Sequence, residues 1–287
     1  MRVLVYQVAI ELKTSDGNNT PYSLDNFLLY KASSFHARKY ADKIGADYLL
    51  INEERISVPS VGAKPIFHHA CFQRLQVMSP EFRHYDYVIY LDSDVVPKGN
   101  SPNILDHFGV NEGNFFAVQE VTGYKDIYRN KFASYKKSSW IKDHAYLYQW
   151  YRENHKYFNS GVFVADKKAR AIIWSCWEDK YVEAQNFWPY CESLECSGSE
   201  WWLNDQPLLN GIVHTSKSIN FSPLAWNWNA FIPSIKKEYV DQSYFKHYCS
   251  RNGTSHFNEK VWANYDEDLK SKINEVELGW KENKKTS

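Results

Sequence analysis

The sequence carries no surplus of charge: 34 Lys and Arg stand against 34 Asp and Glu, for a formal net charge of zero. That balance argues against nucleic acid or an anionic membrane as a bulk partner. No apolar run approaches the roughly 18 residues of a membrane span, so no transmembrane segment is expected. The opening "MRVLVYQVAI" turns polar too soon for a signal peptide and reads as a first core strand. A cytoplasmic protein is the expectation; a Golgi-lumen catalytic domain cut from its anchor would look the same. The five cysteines (Cys71, Cys176, Cys191, Cys196, Cys249) form an odd set without CxxC spacing. Reduced thiols are the reading, with Cys191 and Cys196 as the one pair that suggests a bridge. Repeats and low-complexity linkers are missing as well. One Asn252-Gly253-Thr254 sequon is present, a pattern that chance supplies often.

What is present is a chain of 287 residues, enough for a sizeable core, with 17% aromatic residues. Most of those rings must be core, although rings in a polar protein also suit stacking on sugars. The first ninety residues alternate. Apolar runs at Val3–Ile10, Tyr48–Ile51 and Tyr87–Leu91 are separated by helical patterns over Leu24–Ile44, closed by Gly45, and Ile66–Met78, stopped before Pro80. Strands spaced by helices in this way indicate βαβ units and a parallel sheet. Further on, Asn114–Gln119 and Gly161–Asp166 read as strands, and Lys168–Val182, Trp202–Ile212 and Glu259–Val276 as helices. The expected architecture is α/β: a Rossmann-like, mixed, mainly parallel sheet flanked by helices in a single domain, 1–287. Within it, about 1–125 would form a nucleotide-like half, about 126–255 a variable half, and about 256–287 a C-terminal helix and tail.

The chemistry begins at "YVIYLDSDVV". A strand without a charge runs into Asp92-Ser93-Asp94, and alternation along a strand points Asp92 and Asp94 to one face. In a parallel sheet, ligands bind at the carboxyl ends of strands. Two carboxylates that close repel unless a metal ion or a proton lies between them. Three readings compete: a solvated turn, since Asp and Ser favour turns; a phosphatase of the haloacid dehalogenase type, whose nucleophile motif "LDSDVV" resembles; and a divalent ion bridging carboxylates and a nucleotide's phosphates. The phosphatase motif normally sits on the first strand, and no later Gly-Asp-rich acidic loop completes its magnesium site.

Four stretches, "HYDYVIYLDSDVV", "YFNSGVFVADKK", "WLNDQPLLN" and "FKHYCS", occur in the order and spacing of GT-A glycosyltransferases. Over roughly Leu4 to Ser250 the chain most resembles the glycogenin-like and bacterial lipopolysaccharide galactosyltransferase family. The Gly-x-x-Lys-Pro-Trp run that follows the histidine in that family is absent here. No lysine matches the one that holds the diphosphate there, and Arg251 is the candidate in its place.

The resemblance implies a GT-A fold and transfer of a hexose or pentose from a UDP-sugar to a hydroxyl of a carbohydrate acceptor. It implies Mn²⁺ (or Mg²⁺) held by Asp92, Asp94 and His247; Mn²⁺ tolerates one imidazole among oxygens. Gln7, Val8, Arg74, Ser93, Asn159, Ser160 and Arg251 would line the donor, Arg74 through its guanidinium fork. Asp205 and Gln206 would serve catalysis with retention, Gln206 beneath the anomeric carbon. Asp205 also suits a helix N-cap, for which Asp205→Asn would cost no more than about 1 kcal/mol. An inverting enzyme needs a carboxylate base instead, with Glu120, Asp166 and Glu200 as candidates. A sugar-binding module without turnover is the reading outside enzymes. The aromatic segments Tyr124–Tyr157 and Ser222–Phe231 would shape the acceptor side. Oligomeric state is not legible.

Overall fold

A computed structural model describes residues 1–10, 24–57, 71–108, 112–119, 158–186, 205–232 and 235–248. Arg251, Glu120, Glu200, the Cys191 and Cys196 spacing, the segment Tyr124–Tyr157 and the expected terminal helix lie outside those residues.

Three largely apolar runs form the first strands: β1 (Val3–Val8), buried throughout; β2 (Asp47–Ile51), half-buried; and β3 (Tyr87–Asp92), buried between its ends. Both β2 and β3 pair with β1 in parallel. The crossover from β1 to β2 is α1 (Leu24–Ile44), ended where Gly45 turns to φ 69° and lets Ala46 N–H reach back to Ala41. A short edge-forming strand, β4 (Val95–Pro97), follows β3 directly. Next come β5 (Asn114–Gln119) and β6 (Phe158–Asp166), then α2 (Lys167–Asn186), α3 (Asp205–Thr215) and β7 (Asn220–Leu224). The chain returns through β8 (Ala230–Phe231), a short α4 (Lys237–Val240) and β9 (Phe245–His247).

The six-stranded sheet runs β2-β1-β3-β6-β5-β7, and a three-stranded one β4-β9-β8. Only β6 opposes its neighbours in the large sheet; β5 and β7 are parallel to each other. The fold is the mixed, mainly parallel α/β architecture expected. One difference concerns the second crossover, where Gln73–Met78 is a 3₁₀ turn that ends at Ser79-Pro80. Proline at 80 removes a donor and disfavours helix at residue 79, so the segment stops at Met78, its expected end.

Alternation along the strands builds two core layers. On one face Leu4, Tyr6, Val88, Tyr90, Phe115 and Phe163 pack on α2 and α3 through Ile173, Trp177, Leu209 and Ile212. On the other, Val3, Val5, Ile89, Leu91, Val162 and Val164 meet Ala37, Tyr40 and Ala41 of α1. Burial on both faces explains why these strands read as unbroken apolar runs. Among the described residues no helix is long and apolar enough to cross a membrane.

Arg170 of α2 is buried and donates to the carbonyls of Val77 (3.4 Å), Phe82 (3.0 Å) and Tyr85 (2.5 Å), the chain leading into β3. Burial draws its pKa down to about 10, so it stays charged at neutral pH. Arg170→Met keeps bulk but strands those acceptors, and unsatisfied buried groups cost about 1–3 kcal/mol each. The expected outcome is a loss of about 3 kcal/mol in urea unfolding, read from the shift in midpoint at constant slope.

Candidate active site

The three strands β1, β3 and β6 place the site between them. Val8 at the end of β1 is in register with Asp92 at the end of β3. Because β6 runs the other way, its beginning lies at that same edge: Leu91 pairs with Val162, and Asn159, Ser160 and Gly161 lie just beyond. Residues Ser93 and Asp94 form a turn, not a continuation of the strand. Strand alternation is therefore not what unites the two carboxylates; the turn carries Asp94 back beside Asp92.

His247 arrives by sheet pairing. β9 runs antiparallel to β4 with His247 opposite Val95, and Tyr248 N–H donates to the Asp94 carbonyl at 3.0 Å. One donor atom each from Asp92, Asp94 and His247 then lie within 4.8 Å of one another. His247 Nε2 is 3.2 Å from Asp94 Oδ1 and 4.0 Å from Asp92 Oδ2. Burial alone would lower the imidazole's pKa, but the Asp94 charge and hydrogen bond outweigh it and raise it. Asp94, half-buried, is held below the usual carboxylate range by His247 against the opposing effect of burial. Two carboxylates and an imidazole at a strand end form a donor set that fits a divalent ion of the Mn²⁺ kind. Gly161 makes the fit possible. A Cβ there would collide with His247 Cε1 and approach Asp92 Oδ2 to 2.8 Å and Asn159 Oδ1 to 2.9 Å.

Behind the three lies a buried arginine. Arg74 Nε is 2.6 Å from Asp205 Oδ2, and its Nη2 is 3.1 Å from Asp92 Oδ1. Its Nη1 donates to the Ser160 carbonyl (2.9 Å) and hydroxyl (2.6 Å). Burial opposes the charge, yet the Asp205 and Asp92 carboxylates hold Arg74 protonated far above neutrality. Burial lifts Asp205 to about 6 against the pull of Arg74, which leaves it ionised at pH 7. Tyr90, under the guanidinium at 5.0 Å, donates its hydroxyl to Asp92 Oδ1 at 2.7 Å. Most of the Arg74 fork thus engages the protein, where the resemblance had aimed it at the donor sugar. Gln206 Oε1 accepts from Ser160 N–H and Asn159 Nδ2, each at 3.0 Å. Both residues are aimed by Asn210, whose amide bonds both backbone groups of Phe158 at 2.9 Å and so pins α3 to the start of β6.

Other expected site residues fall differently. Gln7 is fully buried; its amide donates to Ser33 Oγ (3.0 Å) and the Asp92 carbonyl (3.1 Å) and accepts from Tyr48 (2.8 Å). It braces the end of β3 from within the sheet. Val8 is a core residue at the sheet edge, and Ser93 sits half-buried in the turn. Asp166 is removed from the candidate bases. It pairs with Tyr87 at the opposite edge of the sheet, and its carboxylate accepts from Asn114 N–H (2.6 Å) and, as the cap of α2, from Ala169 N–H (2.8 Å). Within the run Ser222–Phe231, Trp228 packs on Phe245 and Phe231 covers the His247 ring, while Ser222 to Ala225, Asn227 and Trp228 line a cavity of about 530 Å³. Sequence reasoning missed Tyr90, Asn210 and Asn229; the last lies 2.7 Å from His247 Nδ1. A polar residue stranded in an apolar or aromatic run is the signal that marks all three.

The model of glycosyl transferase family 8 matches residues 49–265, well over half the chain. No curated protein matches. Among solved structures, a glycosyltransferase involved in glycosylation of the major capsid of PBCV-1 is 13% identical, with TM-score 0.47, over 97% of this chain and 100% of that one. The galactosyltransferase LgtC, solved with donor and acceptor sugar analogs, is 14% identical with TM-score 0.48 over 95% of each chain. Mouse xyloside xylosyltransferase 1 is 12% identical with TM-score 0.40, over 89% of this chain and 100% of that one.

The ion pair of Arg74 with Asp205 revises the expectation for Asp205→Asn. Breaking a buried pair leaves an under-compensated charge and costs about 3–5 kcal/mol, and Asp92 here keeps a second contact on the arginine. A loss of about 3 kcal/mol in denaturant unfolding is expected. A loss of 1 kcal/mol or less would mean that Asp205 is only a helix cap.

Proposed function

This chain belongs to glycosyl transferase family 8, and from that premise we propose that it moves a hexose or pentose from a UDP-sugar to a hydroxyl of a glycan or glycoconjugate, with a divalent ion, Mn²⁺ first, and with retention of configuration. The observation that carries the reading is the convergence of Asp92, Asp94 and His247 at the carboxyl end of β3, beside an arginine that three groups hold in place. The donor would lie across the ends of β1 and β3, with the acceptor on the side of residues 126–255.

A bound divalent ion would supply Lewis-acid assistance to the departing diphosphate, help worth several kcal/mol. The remaining tasks fall to the protein. Asp92, Asp94 and His247 would hold that ion, and Gly161 leaves room for the approach. Arg74 keeps a fixed positive charge 3.1 Å from Asp92, so the carboxylate stays oriented. Asn159, Ser160 and Gln206 form one hydrogen-bonded wall, and Asp205 behind it, paired with Arg74, would lend negative charge toward an oxocarbenium-like centre. In transfer with retention, the acceptor oxygen bonds to the anomeric carbon on the face from which the diphosphate leaves with the bonding pair. The hydroxyl proton passes to the departing phosphate. The engagement of Asp166 in capping also favours retention, because it removes one base that inversion would need.

The test is Asp94→Ala. The side chain sits in a surface-facing turn and adds little packing, so the variant should fold. Mn²⁺-dependent stabilisation by UDP-sugars, about 2.7 kcal/mol for wild type at 100 times the dissociation constant, should vanish, and transfer should fall by roughly a hundredfold or more. Normal donor binding and turnover in the variant would refute the metal reading. Proton NMR of fresh product from an α-linked donor should show an α-linkage; a β-linkage would replace retention with inversion and turn the search to Glu120 and Glu200.

A further inference from the structure

We propose that Asn229 is a positioning residue that fixes the tautomer of His247, so that Nε2 presents a lone pair, not a proton, to the cation site. The inference rests on the metal reading above and deepens it. Asn229 ends the 3₁₀ turn Trp226–Asn229, is completely buried, and reaches two site residues at once. Its Oδ1 lies 2.7 Å from His247 Nδ1, and its Nδ2 lies 2.8 Å from Asn159 Oδ1.

Amide orientation decides the argument, and here the backbone settles it. Gly161 N–H points at the Asn159 side chain over 2.9 Å. A backbone N–H can only donate, so the atom it meets is the Asn159 carbonyl oxygen. The opposite end of that amide is then the NH₂ group, which agrees with its donation to Gln206 Oε1, an oxygen that also accepts from the backbone N–H of Ser160. Because Asn159 faces Asn229 with its oxygen, Asn229 must answer with its own NH₂. That leaves the Asn229 oxygen toward His247, and a ring nitrogen facing a carbonyl oxygen at 2.7 Å must carry the hydrogen. Two backbone amides on β6 thus dictate, through two side-chain amides, which nitrogen of a histidine on β9 is free to ligate. The hydrogen bond made by one ring nitrogen sets the role of the other, and such outer partners typically change metal affinity 10–100-fold when removed.

Among the described residues, no other contact to the ring duplicates the restraint. Phe231 packs against the ring at 4.9 Å and limits its tilt, but a phenyl face cannot tell one nitrogen from the other. Asp94 faces Nε2 and, without a cation, favours a proton there. Asn229 is what makes Nδ1 the permanent donor, so that a cation displaces the Nε2 proton without reorganising the ring.

The experiment compares wild type, Asn229→Leu and Asn229→Asp, as full-length protein. Leu keeps the volume and removes the acceptor; Asp keeps an acceptor facing Nδ1. Mn²⁺ affinity by calorimetry should fall by about 10–100-fold in Asn229→Leu and by less in Asn229→Asp, which keeps the acceptor for Nδ1 while its second oxygen opposes the Asn159 oxygen. Because an added carboxylate also attracts cations, the deciding readout is the ring proton. In the Zn²⁺-loaded wild type, proton NMR should show a downfield, slowly exchanging His247 Nδ1–H. It should persist in Asn229→Asp and move upfield in Asn229→Leu. Unchanged Mn²⁺ affinity in Asn229→Leu, or a ring proton unmoved by that substitution, overturns the role of Asn229 while wild-type metal binding leaves the metal reading standing. A wild type that takes up neither Mn²⁺ nor Zn²⁺ overturns the metal reading and this inference with it.

Discussion

Everything at the site depends on one buried guanidinium. Three carboxylates, Asp92, Asp94 and Asp205, gather where β3 and β6 meet α3, and Arg74 touches two of them directly. Removing one of those charges from water is costly, and only a permanent, forked cation satisfies two carboxylates and the Ser160 carbonyl and hydroxyl together. A lysine, with a single nitrogen, would leave some of them unmet. The elements that surround the site follow from this demand: the 3₁₀ turn that carries Arg74, the amide of Asn210 that seats α3, and the capping of α2 by Asp166, which anchors the far end of β6.

The charge count then gives the site its appetite. Three carboxylates face one arginine, and His247 adds a second positive charge only while it holds a proton, which its raised pKa encourages. With that proton on Nε2 the cluster still carries one negative charge more than positive. A divalent ion in place of the proton brings the sum to zero and removes the surplus negative charge that would repel a diphosphate. The two answers that the acidic pair allowed, a proton or a metal, are therefore two states of one arrangement.

What was legible in the sequence was whatever a short window contains. The strand over Tyr87–Leu91, the helix over Leu24–Ile44 and its stop at Gly45 are written in apolar period and a single glycine, and the structure has them at those bounds or within a residue. Membership of the family, and the placing of Asp92 and Asp94 at a strand's carboxyl end, were equally open to reading. What was not legible was joined over long distances. The pairing of three-residue β9 with three-residue β4 brings His247 beside Asp94, and strands that short have no period to detect. Asp166 was misjudged because its carboxylate looks alike whether it caps a helix or faces a substrate; only the antiparallel register of β6 shows that it lies at the wrong edge. Tyr90 and Asn229 hide inside runs whose composition says core, and they are core, with the Tyr90 hydroxyl and both polar atoms of the Asn229 amide turned inward to the site.

The same comparison explains why so much of the polar network is amide and so little is charge. A carboxylate in place of Asn159, Asn210 or Asn229 would meet a carbonyl oxygen that it could not satisfy, because each of these amides donates to one: Asn159 to Gln206, Asn210 to Phe158 and Asn229 to Asn159. Each also accepts, from Gly161, from Phe158 and at the His247 ring. An amide is the side chain that carries both roles without a net charge, so it passes orientation from one strand to the next while adding nothing to the field at the cation site. Fully satisfied, such a chain is rigid; with one member broken, every downstream atom loses its reason to point where it does. Rigidity is what transfer from an activated sugar demands, since a site that must stabilise developing charge gains most when its dipoles need not move at the moment of reaction. The amides on β6 and beside β8 therefore belong to the same device as the carboxylates on β3: the latter gather the charge, and the former keep its one imidazole turned the right way.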